Sequence, residues 1–230
     1  MSKRNHESKP TEPDIEAALA SREVIAALEE FEGEVQEPLA ARIADYARLL
    51  LRWNRKVSLT TVTSPREILT RHFGESLFGA RVAGIEAGSL LDVGSGAGFP
   101  ALPIAMRFPA IRETLLEPNV RKAAFLAEVC RQMGLVDRVT VVRARLEEFS
   151  LPDRAFDFVT SRAVRVTPAF LRKCGEMLNE SGRVVLWLGQ EDIASLRENA
   201  GWVWAEPVLI PGSERRFIVW GWPVRVERST

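Results

Sequence analysis

The chain has few of the residues on which much side-chain chemistry depends. Its 230 residues include two histidines, two cysteines and one tyrosine. Cys130 and Cys174 stand far apart and fit no metal-ligand or redox spacing, so they read as buried thiols of a reduced compartment. His72 is the only histidine outside the polar tail, which leaves no material for a histidine-based catalytic set and suggests no metal site. No run of roughly eighteen apolar residues occurs, so no membrane partner is expected. The first dozen residues are polar and hold no apolar stretch to serve as a secretory signal, and the expected location is cytoplasmic.

Net charge is also lacking, but the zero balance conceals an asymmetry. Thr11 to Pro38 carries nine acidic residues against Arg22 alone, and Leu39 to Thr230 carries 27 basic and 21 acidic. Within the latter, Arg42, Arg48, Arg52, Arg55, Lys56, Arg66 and Arg71 are opposed only by Asp45 and Glu67. Such a run attracts phosphates or forms a solvated helix face. Apolar spacing predicts an acidic amphipathic helix over Ile15–Phe31 and a second helix over Pro38–Asn54. A third should start at Ser64-Pro65-Arg66-Glu67, with Ser64 and Glu67 forming a capping box. The acidic helix should lie away from any bound nucleic acid, or mask the basic helices until nucleic acid displaces it.

From Ser89 onward strands and helices alternate. Strands are expected at Ser89–Val93, Arg112–Glu117, Val139–Arg143, Phe156–Thr160, Arg183–Leu188, Val203–Ile210 and Arg216–Trp222. Helices should fill Pro100–Arg107, Val120–Met133, Pro168–Leu178 and Glu191–Ala200. The pattern implies a mostly parallel α/β sheet covered on both faces. The last two strands, joined by the turn Pro211-Gly212-Ser213-Glu214, should be antiparallel. The expected organisation is a disordered tail over 1–13, a helical extension over 14–80 and the α/β domain over 81–230.

Leu90-Leu91-Asp92-Val93-Gly94-Ser95-Gly96-Ala97-Gly98-Phe99-Pro100 carries the sharpest chemical signal. An apolar strand runs into a glycine-rich turn, where backbone can approach a ligand at the carboxyl end of a parallel strand. A dinucleotide fingerprint would need glycine at Phe99, and no Gly-Lys-Ser/Thr follows for a P-loop. The spacing suits S-adenosylmethionine better, with Asp92 opposite its ammonium, while other nucleotides and a purely structural turn stay open. Glu117 ends the next strand, where a carboxylate can accept ribose hydroxyls. Leu146 and Glu147 should border the adenine. Arg162 follows the fourth strand at the mouth nearest the methyl, either as a positioning cation or in an ordinary surface ion pair.

These segments together resemble the small-subunit ribosomal RNA guanine-N7 methyltransferase family (RsmG, also GidB). The likeness takes in Trp53-Asn54, Leu59-Thr60, Arg71-His72 with Ser76-Leu77, the glycine loop with Pro103, Arg121-Lys122 with Phe125-Leu126, Arg145 to Phe149, and Ser161-Arg162-Ala163. It implies a Rossmann-like, class I S-adenosylmethionine-dependent methyltransferase fold of seven strands with an antiparallel last strand. It also implies cofactor contact at Gly94, Phe99, Leu146, Glu147 and Arg162; Asp92, Gly96 and Glu117 come from the loop reading. The implied acceptor is small-subunit ribosomal RNA or a ribosomal particle, with a monomer as the expected state. Arg71, His72, Arg121, Lys122, Arg165 and Arg216 are the candidates for RNA contact. The chain departs from the family at Ser58, Glu75, Ala101, Leu188 (usually lysine) and Arg216 (usually histidine), and Arg165 with Arg216 is expected to replace the missing charge.

Guanine N7 carries a lone pair and no proton, so direct in-line transfer of a sulfonium methyl needs no general base. Arg162 is then the one candidate catalytic residue. Rival readings are a methyltransferase for a small molecule or protein, and a catalytically silent cofactor- or RNA-binding assembly factor.

Overall fold

A computed structural model describes residues 11–150, 155–162, 164–197, 199 and 201–225. The amino-terminal helices are α1 (Glu12–Ala18), α2 (Ser21–Glu32) and α3 (Glu37–Asn54). The single helix expected over Ile15–Phe31 is therefore two, broken at Leu19-Ala20. The buried face of α2 is Val24, Ala27, Leu28 and Phe31. A continuous helix would turn Leu19 roughly 140° away from Val24; the break lets Leu19 bury itself with them. Thr11 caps α1 through a capping box with Asp14, so helix begins inside the stretch expected to be a tail; residues 1–10 lie outside the described residues.

The third helix starts after Ser64 but without the expected box, because the Glu67 carboxylate reaches forward to Arg71 instead (3.6 Å). After one turn of α4 (Pro65–Glu67) the chain widens into a π-helix over Ile68–Gly74, then resumes as α5 (Glu75–Ala83). The boundary expected at 80/81 falls inside α5.

Then follow β1 (Ala87–Val93), α6 (Ala101–Arg107), β2 (Ala110–Leu116), α7 (Val120–Gln132), β3 (Val139–Val142) and β4 (Phe156–Arg162). The chain closes with α8 (Pro168–Met177), β5 (Leu178–Gly189), α9 (Gln190–Arg197), β6 (Trp202–Trp204), β7 (Val208–Leu209) and β8 (Arg216–Pro223). Of the helix expected to end at Ala200, positions 198 and 200 lie outside the described residues. Among the described residues the sheet has eight strands in the order β3-β2-β1-β4-β5-β8-β6, with β7 also on β8. The expected strand Val203–Ile210 is split, since Pro207 has no amide to donate; β6 and β7 pair separately with β8. β7 and β8 are antiparallel across the turn at Pro211, as expected, and β8 also runs antiparallel to β5.

Both faces of the sheet are buried, which is why Leu90 and Leu91 can both be apolar. One face carries Leu90, Ile111, Leu115, Val185 and Ile218 against α2, α3, α5, α6 and α7. The other carries Leu91, Val93, Leu116, Val184 and Leu186 against α8 and Leu196 of α9. Cys130 and Cys174 are buried free thiols, one in each cluster. Burial, then the nearby Glu113 carboxyl, pushes the Cys130 thiol up to about 12.

The basic run divides on folding. Arg42 donates to the carbonyls of Met106 (3.3 Å) and Met133 (2.8 Å), tying α3 to the ends of α6 and α7. Arg48 is held by Glu16 of α1 (2.9 Å) and by Asp45 (3.0 Å). Arg52, Arg55, Lys56 and Arg66 are exposed. The acidic α1 thus lies on α3, with Glu12 and Glu16 beside Arg48, Arg52 and Arg55.

Candidate functional site

Strand order reverses at β1, whose neighbours β2 and β4 lead to opposite halves of the sheet. A crevice at the carboxyl end of such a strand is the usual ligand position. There the glycine turn is fastened from one side: the amides of Gly94 and Ser95 donate to the Leu116 carbonyl (3.0 and 3.1 Å). Gly94 has φ 73°, and a Cβ on it would come within 2.8 Å of Val164. Gly98 has φ 87°, and a Cβ there would overlap the Tyr46 hydroxyl and Leu102. That hydroxyl donates to the Ala97 carbonyl at 2.5 Å, so α3 holds the loop from beneath.

Glu117 is buried at the end of β2. Its Oε2 accepts from the Gly96 amide and its Oε1 from the Asn119 amide, each at 2.8 Å. Its first task is thus to tie the glycine loop to the start of α7, and each oxygen keeps a lone pair for a hydroxyl. Asp92 is buried on β1; Oδ1 accepts from Thr160 Oγ1 (2.7 Å) and Oδ2 has no partner. Burial lifts the Asp92 carboxyl to about 6, against the hydrogen bond from Thr160. A buried carboxylate oxygen without a partner, beside a turn whose glycines bring backbone close, fits the ammonium of S-adenosylmethionine.

Phe99 leaves the loop into an aromatic stack. Its ring lies parallel to Tyr46 (5.4 Å, 5°), stacks on His72 (4.7 Å) and meets Phe73 edge-on (5.1 Å). His72 and Arg71 sit on the π-helical segment, a distortion that recurs at functional sites. His72 Nε2 bonds Thr60 Oγ1 (2.8 Å), while His72 Nδ1 and Arg71 Nε are buried without partners. Burial, then the Arg162 and Arg71 charges, drives the imidazole down to about 3, so it is neutral in any ordinary buffer. Thr60 is in turn placed by Asn54, which bonds the Leu59 and Thr60 backbone from the end of α3.

Arg162, ending β4, donates through Nη2 to Glu75 Oε2 (3.0 Å), and Arg216 Nε of β8 donates to Glu75 Oε1 (2.9 Å). Arg162 Nη1 is buried with no partner. Burial, then the Arg216 and Arg71 charges, depress the Arg162 guanidinium, and Glu75 opposes them. A cleft of about 570 Å3 opens over this group, with Val164, Arg165, Trp187 and Leu188 also in its wall. Val164 faces both Gly94 and the cleft, which joins the two regions. Arg165 and Arg216 line the same cleft as Leu188.

The fold therefore gathers Asp92, Gly94, Gly96 and Glu117 at the loop, Phe99 with His72 below it, and Arg162, Arg165 and Arg216 around the cleft. Leu146 is buried in the second core cluster, and its neighbour Glu147 is exposed. Arg121 and Lys122 start α7, their amides on Asn119 Oδ1, outside the cleft wall. Ala163 lies outside the described residues. Glu75, Tyr46, Asn119 and Thr160 carry structural work at the site that the sequence reading did not assign. Asn119 is preceded by Pro118 and opens a helical pattern, a cap signal that was there to be used. Among the described residues, no group of three His, Cys, Asp or Glu could hold a metal, and no helix is long and apolar enough to cross a membrane.

Among solved structures, the chain is similar to an S-adenosylmethionine-dependent methyltransferase from Aquifex aeolicus (18% identity, TM-score 0.56, covering 70% of this chain and 94% of that one). It is also similar to the glycopeptide N-methyltransferase MtfA complexed with sinefungin (14% identity, TM-score 0.57, covering 67% and 87%). Both show the methyltransferase fold. In sequence it is 36% identical over 214 residues to the ribosomal RNA small subunit methyltransferase G of Xanthomonas campestris pv. campestris strain 8004, covering 90% of this chain and 95% of that protein. It is 34% identical over 192 residues to the protein of the same name from Alkalilimnicola ehrlichii, covering 81% and 86%. The family model described as rRNA small subunit methyltransferase G matches residues 39–205. With the glycine turn, the Arg71-His72 segment and Arg162 all inside that span, the chain belongs to the rRNA small subunit methyltransferase G family.

Proposed function

We infer that this chain transfers the methyl group of S-adenosylmethionine to N7 of a guanine in 16S ribosomal RNA. The observation that carries the reading is the cradle at β1: a glycine turn tied to Glu117 and underlain by an unpartnered Asp92 oxygen, in a chain of this family. When bound, S-adenosylmethionine supplies an electrophilic methyl on a sulfonium. Asp92 sets a negative charge against its ammonium, and the remaining lone pairs of Glu117 accept from its ribose. Gly94, Gly96, Phe99, Leu146 and Glu147 shape the rest of the pocket.

Arg162 is the catalytic candidate, placing its free Nη1 where cofactor and acceptor meet. No side chain needs to remove a proton, because guanine N7 has none. The neutral His72, held by Thr60 and Phe99, accordingly serves position rather than proton transfer. Holding the base in line and about 3 Å from the methyl contributes roughly 7–11 kcal/mol of barrier lowering. Arg71, His72, Arg165 and Arg216 approach the acceptor, while Arg121 and Lys122 meet more distant phosphates. The enzyme acts as a monomer in the cytoplasm.

Incubating the protein with methyl-labelled S-adenosylmethionine and unmodified small-subunit RNA, naked and as particles, tests this. Label mapping to a guanine N7 is expected, with affinity that weakens steeply as salt rises. Label only on protein or small molecules, or tight cofactor binding with no transfer to any acceptor, would overturn it.

A further inference from the structure

Glu75 is fixed from three directions. Its backbone carbonyl accepts from Trp187 Nε1 of β5 (2.8 Å), and the indole lies so close to Gly79 that any Cβ there would overlap it. Glu75 opens α5 directly after the π-helical turn that carries Arg71 and His72. Its carboxylate is 2% exposed and divided between Arg162 and Arg216, whose side chains are 18% and 38% exposed. The two arginines come from β4 and β8, which β5 separates in the sheet.

A buried carboxylate shared by two guanidiniums is an expensive way to stabilise a fold, since apolar residues of equal volume often do as well. The arrangement leaves both cations partly unspent. Arg162 keeps Nη1 buried without a partner, and Arg216 makes no side-chain bond through Nη1 or Nη2 among the described residues. Both line the cleft that meets the glycine loop at Val164. One carboxylate therefore sets the direction of two cations that line a single cleft.

We propose that Glu75 is a positioning residue for methyl transfer, holding Arg162 toward the cofactor and Arg216 toward the phosphate backbone of the acceptor RNA. The inference rests on the functional reading above and adds to it a residue coupling the two substrate sites.

The test uses the full chain. Glu75→Gln keeps the shape and removes the charge; Glu75→Asp keeps the charge one methylene shorter. Cofactor affinity is read by calorimetry, KM and kcat with unmodified small-subunit RNA, and Tm by melting. With Tm close to the parent's, Glu75→Gln should raise both the cofactor Kd and the RNA KM at least threefold, and Glu75→Asp should recover part of each. Arg216→Gln should raise the RNA KM at least threefold and leave the cofactor Kd within twofold. A folded Glu75→Gln in which either constant moves less than threefold overturns the proposal. If Glu75→Gln does not fold, Arg216→Gln decides alone, and an unchanged RNA KM overturns it. Should the unaltered protein label no RNA, the functional reading fails instead, and the cofactor Kd of Glu75→Gln still decides whether Glu75 holds Arg162.

Discussion

The Gly96 amide donates to Glu117 Oε2 at 2.8 Å, so the carboxylate that ends β2 fixes the turn that ends β1. The same carboxylate accepts the Asn119 amide through its other oxygen and so also sets the start of α7. Two strand ends and a helix start meet on one side chain.

Glu117→Ala should remove the acceptor of the half-buried Gly96 amide and of the Asn119 amide, which water can reach, at about 0.5–1.5 kcal/mol for each bond lost. Cofactor affinity should fall tenfold or more, with a clear loss of Tm. Glu117→Gln, which still accepts one bond, should lie between the two. Calorimetry and melting on the same samples check this, and an alanine variant with native affinity would show that the loop needs no such tie.

Asp92 makes stability depend on pH in the direction opposite to an ordinary salt-bridged carboxylate. Its folded value, about 6, lies above the 3.8 of an ordinary aspartate carboxyl. Below pH 4 both states are protonated and its contribution is unimpaired. Between pH 4 and 6 the unfolded chain ionises first, so stability falls as pH rises, and above pH 6 the loss is complete. The loss from this residue is about 3 kcal/mol. Glu113, raised by burial and by Asp92, acts in the same direction. Denaturant titrations from pH 4 to 8 should show the Asp92→Asn protein losing part of this slope. Cofactor binding to the parent should tighten as pH rises through 6, since only the ionised Asp92 attracts an ammonium.

The glycines of the turn should not be equivalent. Gly98→Ala meets the Tyr46 hydroxyl and Leu102 in a left-handed conformation, and about 2–4 kcal/mol of stability should be lost. A Cβ on Gly96 has no neighbour closer than 3.7 Å, so Gly96→Ala should cost only the conformational 1–2 kcal/mol, roughly. Comparing their melting midpoints checks the order.

The run from Leu90 to Pro100 was legible in the sequence because strand, turn and helix signals agree over eleven consecutive positions. Glu117, Arg162 and the antiparallel ending could be placed by spacing from there. Glu75 could not: it showed only as a departure from the family, and nothing in the order of its neighbours foretells a π-helix before it or two arginines 87 and 141 positions later. The same limit separated Arg42 from its true partners, carbonyls 64 and 91 positions away. Local pattern gives the period of an element, while partners across the fold depend on how the layers stack. Leu19 and Pro207 show a smaller version, each breaking an element that apolar spacing alone would continue.

That division of the basic residues can be measured. Arg42→Ala removes two bonds to carbonyls at helix ends and should lower stability by roughly 1–3 kcal/mol. RNA affinity of the protein that remains folded should be unchanged. Arg165→Ala removes an exposed cation at the rim of the cleft, with no hydrogen bond or ion pair among the described residues, so Tm should stay put. RNA affinity should weaken, and the slope of log affinity against log salt should shrink by about one counterion if Arg165 meets a phosphate. Filter binding at several salt concentrations, beside melting curves, separates the two outcomes. A salt slope that changed with Arg42 and not with Arg165 would place the RNA on the α3 side of the molecule, away from the cleft, and the acceptor would then have to reach Arg162 from another direction.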